Sequence, residues 1–155
     1  MRATFFHVYY IVRYYFDEKQ TKDEEIECNG SIFYADIYSY CHILTRHYYP
    51  TMNEGLNISL NDNLSILSLR ELPSGILKLV KAYCKYKKIT KSDEYLLFFL
   101  DSQRYIMWIK YDSILNTSKK GFEIRSFYKC EVDRDLIKFV NKRIISINEH
   151  ISIAI

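Results

Sequence analysis

Residues 40–50 read YCHILTRHYYP and bring together side chains that could do chemistry. His42, Arg46 and His47 stand just before Pro50, where a helix would end. An imidazole donates or accepts a proton near neutral pH, and a guanidinium holds a phosphate or a developing negative charge. The stretch therefore suggests acid–base chemistry on an anionic substrate. The competing interpretation is a tyrosine-rich helix end that happens to carry two histidines.

Helical geometry separates the two histidines. Asp36 is a suitable N-cap for a helix that runs to about residue 49. At about 100° per residue, His47 lies about 140° around that helix from His42, so the two share one site only if the last turn unwinds. Their spacing is not the i, i+4 spacing of a helical zinc site, and the chain has no Cys-x-x-Cys pair, so we expect no metal site. The helix would also present an amphipathic stripe formed by Tyr38, His42, Thr45 and Tyr49.

The segment GFEIRSFYKC adds a carboxylate and a second guanidinium. Strict strand alternation places Phe122, Ile124, Ser126 and Tyr128 on one face and Glu123, Arg125, Phe127 and Lys129 on the other. A glutamate can take the proton of an RNA 2′-hydroxyl, an arginine can hold the phosphate, and a histidine can protonate the leaving oxygen. Glu123, Arg125 and a histidine of the helix thus form a minimal set for metal-free RNA cleavage. The same Glu123 and Arg125 also fit an ion pair on a solvated face, worth at most about 1 kcal/mol.

A third feature is the lysine-rich segment KLVKAYCKYKKITK. Its stripe of Lys78, Lys81, Lys85 and Lys88 has no acidic residue among its neighbours between Glu71 and Asp93. Interleaved tyrosines, Tyr83 and Tyr86, could stack on bases, so the segment predicts a nucleic-acid contact surface with RNA as the partner. The alternative is the ordinary solvated face of an amphipathic helix.

In the first half of the chain, the pattern of apolar residues predicts a pair of strands, a further short strand and two helices. Alternating apolar residues over 3–16 indicate a strand, and IECNGSIFYA indicates its partner, which leads into the helix at Asp36. LSILSLREL indicates a short strand, and Pro73 opens the second helix. The core stripe of that helix comprises Leu72, Ile76, Leu79, Val80 and Tyr83.

In the second half of the chain, the pattern of apolar residues predicts mainly strands. EYLLFFL and RYIMWIKY flank a turn at 101–103 and predict a central hairpin, which GFEIRSFYKC extends. Asp133 is the predicted cap of a third helix, with core residues Val132, Leu136, Phe139 and Val140. A terminal strand follows, with Ile145, Ile147, Ile151, Ile153 and Ile155 on one face. We therefore predict one α+β domain over 1–155, with a mainly antiparallel sheet and about three helices.

Composition limits the class of protein. Hydrophobic residues make up 48 % and charged residues 26 % of 155 residues, which is typical of a globular chain and excludes a disordered one. Four glycines leave no phosphate-binding glycine loop, so no cofactor is expected. Four irregularly spaced cysteines in apolar surroundings indicate free thiols in a reducing compartment. The apolar N-terminal run is too short to cross a bilayer, so we expect no membrane contact and a cytoplasmic location.

A helix with a HILTRH-type stretch, followed by an antiparallel sheet whose later strand carries an arginine, resembles the barnase/EndoU/colicin/RelE-like superfamily of small RNases. Many of these are toxins of mobile elements. The resemblance covers the order of elements over residues 26–130. It implies a small metal-independent RNA-cleaving enzyme in which His42 or His47 is the acid and Glu123 the base. The phosphate contacts implied are Arg46 and Arg125. The first hairpin and the terminal helix and strand depart from the simplest members.

The alternative class is a non-catalytic protein-binding module, such as an immunity protein, an antitoxin or a viral host-interaction protein. Its support is the count of 15 tyrosines, since tyrosine gives interfaces a large rigid contact area. Abundant Tyr, Ile, Lys and Asn are also typical of AT-rich genomes, including those of viruses and mobile elements. The partner would then be a cognate protein or inhibitor. Cleavage requires the histidine and the arginines to converge on one site, whereas protein binding does not.

Overall fold

The protein was analysed as a computed structural model, which describes residues 9, 10, 12–14, 17, 23–43, 72–113 and 120–155. Seven strands form one sheet: β1 Asp23–Cys28, β2 Ser31–Asp36, β3 Tyr95–Leu100, β4 Gln103–Ser113, β5 Lys120–Lys129, β6 Ile144–Ser146 and β7 Ile151–Ala154. The helices are α1 Ile37–Ile43, α2 Leu72–Cys84 and α3 Asp133–Leu136, with a 3₁₀ turn at Ile137–Phe139. The strand order is β1-β2-β5-β4-β3-β7-β6. Of the strand pairs described, β2 with β5 is parallel and the others are antiparallel. The predicted α+β class is confirmed.

The N-terminal segment is helical where it is described, so the strand predicted over 3–16 is wrong at residues 9, 10 and 12–14, and its other residues lie outside the described part of the chain. Tyr10 and Tyr14 are 65 % and 66 % exposed, while Val12 is buried in the core. Arg13 Nε lies 3.7 Å from Asp17 Oδ2, the i, i+4 pairing of a helix. The stretch fits both the two-residue and the 3.6-residue period, and packing against the core decides between them.

Two hairpins turn on two-residue loops with positive φ. The segment IECNGSIFYA was predicted as one strand, but Asn29 and Gly30, at φ 53° and 79°, divide it into β1 and β2. This is the geometry of a type I′ turn, for which Asn-Gly is the preferred sequence. The hairpin predicted at 101–103 is confirmed, with Asp101 and Ser102 in the turn at φ 47° and 66° and Gln103 paired with Leu100.

α1 follows β2 without a loop and is capped as predicted. Asp36 Oδ1 accepts hydrogen bonds from the Ser39 backbone N–H at 2.8 Å and from the Ser39 hydroxyl at 3.1 Å. These bonds satisfy donors that a helix leaves unpaired in its first turn. The predicted continuation of α1 to about residue 49, and the strand predicted from LSILSLREL, lie outside the described residues.

We expect Asp36→Ala to lower the free energy of unfolding by about 1 kcal/mol, because the first turn of α1 loses its side-chain acceptor. Asp36→Asn is the matched control, since asparagine also caps well. Urea unfolding of the three proteins measures the difference. Equal stability of the alanine and wild-type proteins would contradict the role of the cap.

The sheet separates a large core from a small one. The large core, called the main core here, lies between one face of the sheet and the helices α1 and α2. α2 contributes Ile76, Leu79, Val80 and Tyr83 to it, which confirms these members of the predicted stripe. The small core on the second face comprises Leu97, Ile106, Cys130, Phe139 and Ala154. α3 and the 3₁₀ turn cover that face.

α3 is shorter than predicted, and its cap was predicted wrongly. Val132 is the N-cap without a side-chain bond, and Asp133 is already in the first turn. Phe139 is buried, but Val132 and Val140 are exposed. The buried carboxylate of Asp135 accepts a hydrogen bond from the Tyr128 hydroxyl at 3.1 Å, which anchors the helix on the sheet.

The predicted terminal strand is a hairpin of β6 and β7 instead. Asn148 Oδ1 accepts hydrogen bonds from the backbone of His150 and Ile151 and so closes the turn between them. The predicted face is nevertheless confirmed, because all five isoleucines of the series pack in or against the main core. Within the described ranges the longest helix has 13 residues, and none is long and apolar enough to cross a membrane.

Candidate functional site

The residues predicted for catalysis lie on separate elements. His42 is exposed on α1, whose neighbouring Tyr40, Cys41 and Ile43 are buried in the main core. Glu123 and Arg125 lie on β5. Arg46 and His47 lie outside the described residues, so the complete set is not tested and stays a prediction.

Arg125 forms a β-bulge that strict alternation did not predict. Trp108 pairs with Ser126 and Ile109 pairs with Ile124, which leaves Arg125 as an extra residue on β5. Beyond the bulge the alternation shifts by one residue. Phe127 therefore joins Ile124 in the main core, whereas Tyr128 packs against the small core. No local sequence signal marks the extra residue of this bulge, because its position is set by how β5 pairs with the partner strand β4.

The structure brings Glu123 and Arg125 together. Arg125 Nη2 lies 3.4 Å from Glu123 Oε2, with side chains 50 % and 29 % exposed. Phe122 and Ile124 are in the main core, so Glu123 projects from the second face of the sheet. α1 packs against the first face. The sheet therefore lies between the helix that carries His42 and the carboxylate of Glu123.

The second face around Glu123 carries charges of both signs. Tyr34 pairs in register with Glu123 and is nearly buried. Burial, followed by the charges of Glu123 and Asp112, raises the pKa of Tyr34 above its ordinary value, and Arg125 opposes this rise. Lys110 Nζ, on the adjacent strand, lies 3.9 Å from Asp112 Oδ2. Phosphate binding is not favoured on this surface, because its cations already pair with carboxylates.

The lysine surface comprises Lys78, Lys81, Lys85 and Lys88, and all four side chains are exposed. The prediction placed them on one helical stripe, but α2 ends at Cys84, so Lys85 and Lys88 follow the helix. That helix end is well defined. The Asn29 side-chain amide donates to the Cys84 carbonyl at 2.7 Å, and the Tyr86 N–H donates to the Tyr83 carbonyl at 3.0 Å.

The two tyrosines predicted to stack on bases differ in access. Tyr86 is 48 % exposed and stands among the lysines, so it is available for stacking. Tyr83 is buried, and its hydroxyl donates to the Ala154 carbonyl at 3.5 Å. Burial, with the charge of Asp93 as the next cause, raises the pKa of Tyr83 to about 12. The prediction that Tyr83 stacks on a base is therefore wrong.

The charge of the lysine surface is concentrated. Residues 72–92 contain six lysines and no acidic residue, whereas the whole chain carries only +3. The next acid, Asp93, turns its carboxylate into its own loop, where Oδ2 accepts the Thr90 N–H at 2.7 Å. Lys91 extends the cationic region and lies 5.1 Å above the Tyr111 ring. Such an arrangement attracts polyanions.

A cavity of about 260 Å³ opens where α2 ends, against the start of β3 and the end of β7. Its charged lining residues are Lys87, Lys142, Asp93 and Glu94. Two cations offset two anions, so the cavity does not select a ligand by charge. In the described part of the chain, no three His, Cys, Asp or Glu side chains are grouped to hold a metal.

Three exposed tyrosines form a separate aromatic surface near the N-terminus. They are Tyr10, Tyr14 and Tyr38, at 65 %, 66 % and 63 % exposure. The Tyr9 ring lies between the two elements, 6.0 Å from Tyr10 and 6.3 Å from Tyr38. Together with Tyr86, these three are the exposed tyrosines among the described residues, and a role for them in protein binding stays a prediction.

Sequence reasoning missed an ion pair at His150. Its Nδ1 lies 2.7 Å from Asp101 Oδ1, and its Nε2 lies 3.1 Å from Glu149 Oε1. The hydrogen bond to Asp101 is the largest cause that raises the pKa of His150 above its ordinary value. The pairing joins two turns 49 residues apart, so no local spacing could reveal it.

We expect His150 to titrate at a higher pH in the wild-type protein than in Asp101→Asn, because asparagine keeps the positive-φ turn but removes the charge. A raised pKa stabilises the fold below the unfolded value of about 6.5, and this contribution is lost as the pH rises through the folded value. Proton NMR titration and Tm between about pH 5.5 and 8.5 measure both effects. Identical titration of the two proteins would contradict the pairing.

Comparisons with protein-family models, with curated proteins and with solved structures found no match for this chain. The surfaces of the molecule are therefore the guide to its function. Of these, the lysine surface has the most uniform charge and an accessible aromatic ring.

Proposed function

We propose that this protein binds single-stranded RNA through the lysine surface. The observation that carries the proposal is the run of exposed lysines along α2 and beyond its end, with six lysines and no acid over 72–92. Phosphate neutralisation by lysines supplies most of the affinity in sequence-independent RNA binding. The proposal concerns RNA as a polyanion and specifies no sequence.

Tyr86 favours a single strand over a duplex. Its ring stands between lysines that would contact the backbone, and an unpaired base can stack on it. The bases of a duplex are stacked on one another and are not free to do so. The hydrogen bonds that fix the end of α2 hold the backbone of Tyr86 and Lys87 in place before binding, which lowers the entropy cost.

Cleavage of the bound RNA would be a further step, with His42 or His47 as the acid, Glu123 as the base, and Arg46 and Arg125 on the phosphate. The geometry favours binding over cleavage. Glu123 projects from the face opposite α1, and Arg125 already pairs with it. The binding experiment can detect cleavage directly, so both activities are tested together.

Protein binding is the second candidate, because the exposed surface of Tyr10, Tyr14 and Tyr38 favours it. Exposed tyrosines supply contact area at low entropy cost. The two candidates use different elements, since these tyrosines lie on the N-terminal helical residues and α1, whereas the lysines lie on and after α2. For either function we propose a cytoplasmic location, because the four cysteines are free thiols in the structure and such thiols are typical of a reducing compartment.

The test is fluorescence anisotropy of a labelled single-stranded RNA with purified protein in EDTA, followed by a denaturing gel. We expect saturable binding that a matched duplex competes for weakly, with Tyr86→Ala losing roughly tenfold in affinity. Intact RNA on the gel indicates binding alone, and cleaved RNA adds catalysis without metal. Absence of binding at low salt would contradict the proposal.

A further inference from the structure

Two of the four free cysteines are neighbours where β1 meets α2. Cys28 is the last residue of β1, and Cys84 is the last residue of α2. The Asn29 side-chain amide donates to the Cys84 carbonyl at 2.7 Å, so the residue next to Cys28 is bonded directly to Cys84. Cys84 is buried in the main core, and Cys28 packs against the same core.

The two thiols differ in access to solvent. Cys28 is partly exposed and is followed by the exposed turn of Asn29 and Gly30, whereas Cys84 is buried. The other two cysteines, Cys41 and Cys130, are buried in different cores on opposite faces of the sheet. A disulfide needs sulfur atoms that can approach to about 2 Å with little backbone movement. Cys28 and Cys84 stand at the adjoining ends of β1 and α2, face the same core, and are linked through the bond from Asn29 to the Cys84 carbonyl.

We propose that Cys28 and Cys84 are a redox-active pair, which a small-molecule disulfide such as oxidised glutathione converts into an intramolecular disulfide between β1 and α2. The pair lies at the same end of α2 as the lysine surface. Its oxidation requires no RNA and is measured without it.

The reaction proceeds by two thiol–disulfide exchanges. The Cys28 thiolate attacks one sulfur of the oxidant, the S–S bond of the oxidant breaks, and one thiolate leaves and takes up a proton. The Cys84 thiolate then attacks the sulfur of Cys28 and releases the second thiol. The protein loses two electrons and two protons, and the oxidant gains both as two free thiols.

Burial sets the order and the rate of these steps. It raises the pKa of Cys84 to about 12, with the neighbouring Cys28 as a further cause, so little Cys84 thiolate exists at neutral pH. The accessible Cys28 therefore reacts first, and closure of the disulfide is slow. We expect the closure rate to rise about tenfold per pH unit between about pH 7 and 9, as the Cys84 thiolate fraction does.

The experiment exposes the native full chain to oxidised glutathione, blocks remaining thiols with N-ethylmaleimide in denaturant, and counts them by mass spectrometry. We expect the wild-type protein and the controls Cys41→Ser and Cys130→Ser to lose two thiols, with a Cys28–Cys84 crosslinked peptide. Cys84→Ser should stop at one glutathione on Cys28, and Cys28→Ser should keep all its thiols. The oxidised wild-type protein should also melt about 5–10 °C higher than the reduced protein.

Three results would overturn the proposal. One is a wild-type protein that keeps four thiols after an incubation that modifies Cys28 in Cys84→Ser, or that still holds the glutathione adduct after prolonged incubation at about pH 9. Another is a crosslinked peptide that joins any other pair of cysteines. The third is loss of two thiols from Cys28→Ser at the wild-type rate. Circular dichroism of each variant before oxidation confirms that the count refers to folded protein.

Discussion

Replacing Phe122 by alanine is expected to lower the free energy of unfolding by about 3–5 kcal/mol. Phe122 is 1 % exposed, and its ring stacks on Phe33 with centroids 4.9 Å apart and planes at 12°. It also meets the Tyr111 ring edge-on at 5.1 Å. Phe33 and Phe122 are register partners where β2 and β5 pair in parallel, so the cavity would open where the first hairpin joins the rest of the sheet.

The measurement is urea unfolding followed by tyrosine fluorescence or circular dichroism. Tyr38→Ala is the matched control, because it removes an aromatic ring from an exposed site and should change stability by no more than about 0.5 kcal/mol. Phe122→Leu should cost clearly less than the alanine variant, since it leaves a smaller cavity. An alanine variant at Phe122 as stable as the one at Tyr38 would contradict the assignment of the main core.

Reversing two charges of the lysine surface, Lys81→Glu with Lys85→Glu, is expected to weaken RNA binding roughly 30-fold or more. Two lost phosphate contacts of about 1 kcal/mol each account for this factor, and the new repulsion adds to it. Both lysines are exposed, so the core is not disturbed. Thermal unfolding of the variant checks the fold, since Lys81 stands in the last turn of α2 and its reversal costs a few tenths of a kcal/mol.

The control for this variant is Lys110→Glu with Lys129→Glu. These lysines are exposed on β4 and β5, outside the segment that carries the lysine surface, and their reversal changes the net charge by the same amount. A loss of affinity confined to the first pair assigns binding to the lysine surface. Equal losses in both double variants would show that only net charge matters and would contradict a defined surface.

Strong local signals in the sequence predicted much of the fold. The β3–β4 hairpin followed from two near-continuous apolar runs around a turn, and the start of α2 followed from Pro73 ahead of a helical stripe. Asp36 was predicted as a cap because its side chain suits that position and a helical pattern follows it. These elements depend on residues close in sequence, so one sequence is enough to find them.

The remaining features depend on contacts that are distant in sequence. The N-terminal helical residues were predicted as a strand because the spacing of their aromatic residues fits both a strand and a helix. The burial of Val12 in the core, which is distant in sequence, decides between the two structures. The bulge at Arg125 is set by β4, and the pair of His150 with Asp101 arises because β3 and β7 are neighbours in the sheet. The Asn-Gly turn is different, because its signal was present in the sequence and was passed over.

The candidate site shows the same division. Exposure of Lys78 and Lys81 could be predicted from helical spacing, because the opposite stripe is apolar, whereas Lys85 and Lys88 follow the end of α2. Whether His42, Arg125 and Glu123 converge on one site could not be predicted from the sequence, because it depends on which face of the sheet each element occupies. α1 packs on the first face and Glu123 projects from the second, and a linear pattern does not encode that choice.

The salt dependence of RNA affinity tests the central claim most directly. If the four lysines of the lysine surface each neutralise one phosphate of a single strand, log affinity should fall with log salt with a slope of about −3. The Lys81→Glu, Lys85→Glu variant should then show about half that slope, and the Lys110→Glu, Lys129→Glu control should keep it. A wild-type slope near zero, or an unchanged slope in the first variant, would contradict RNA binding by the lysine surface.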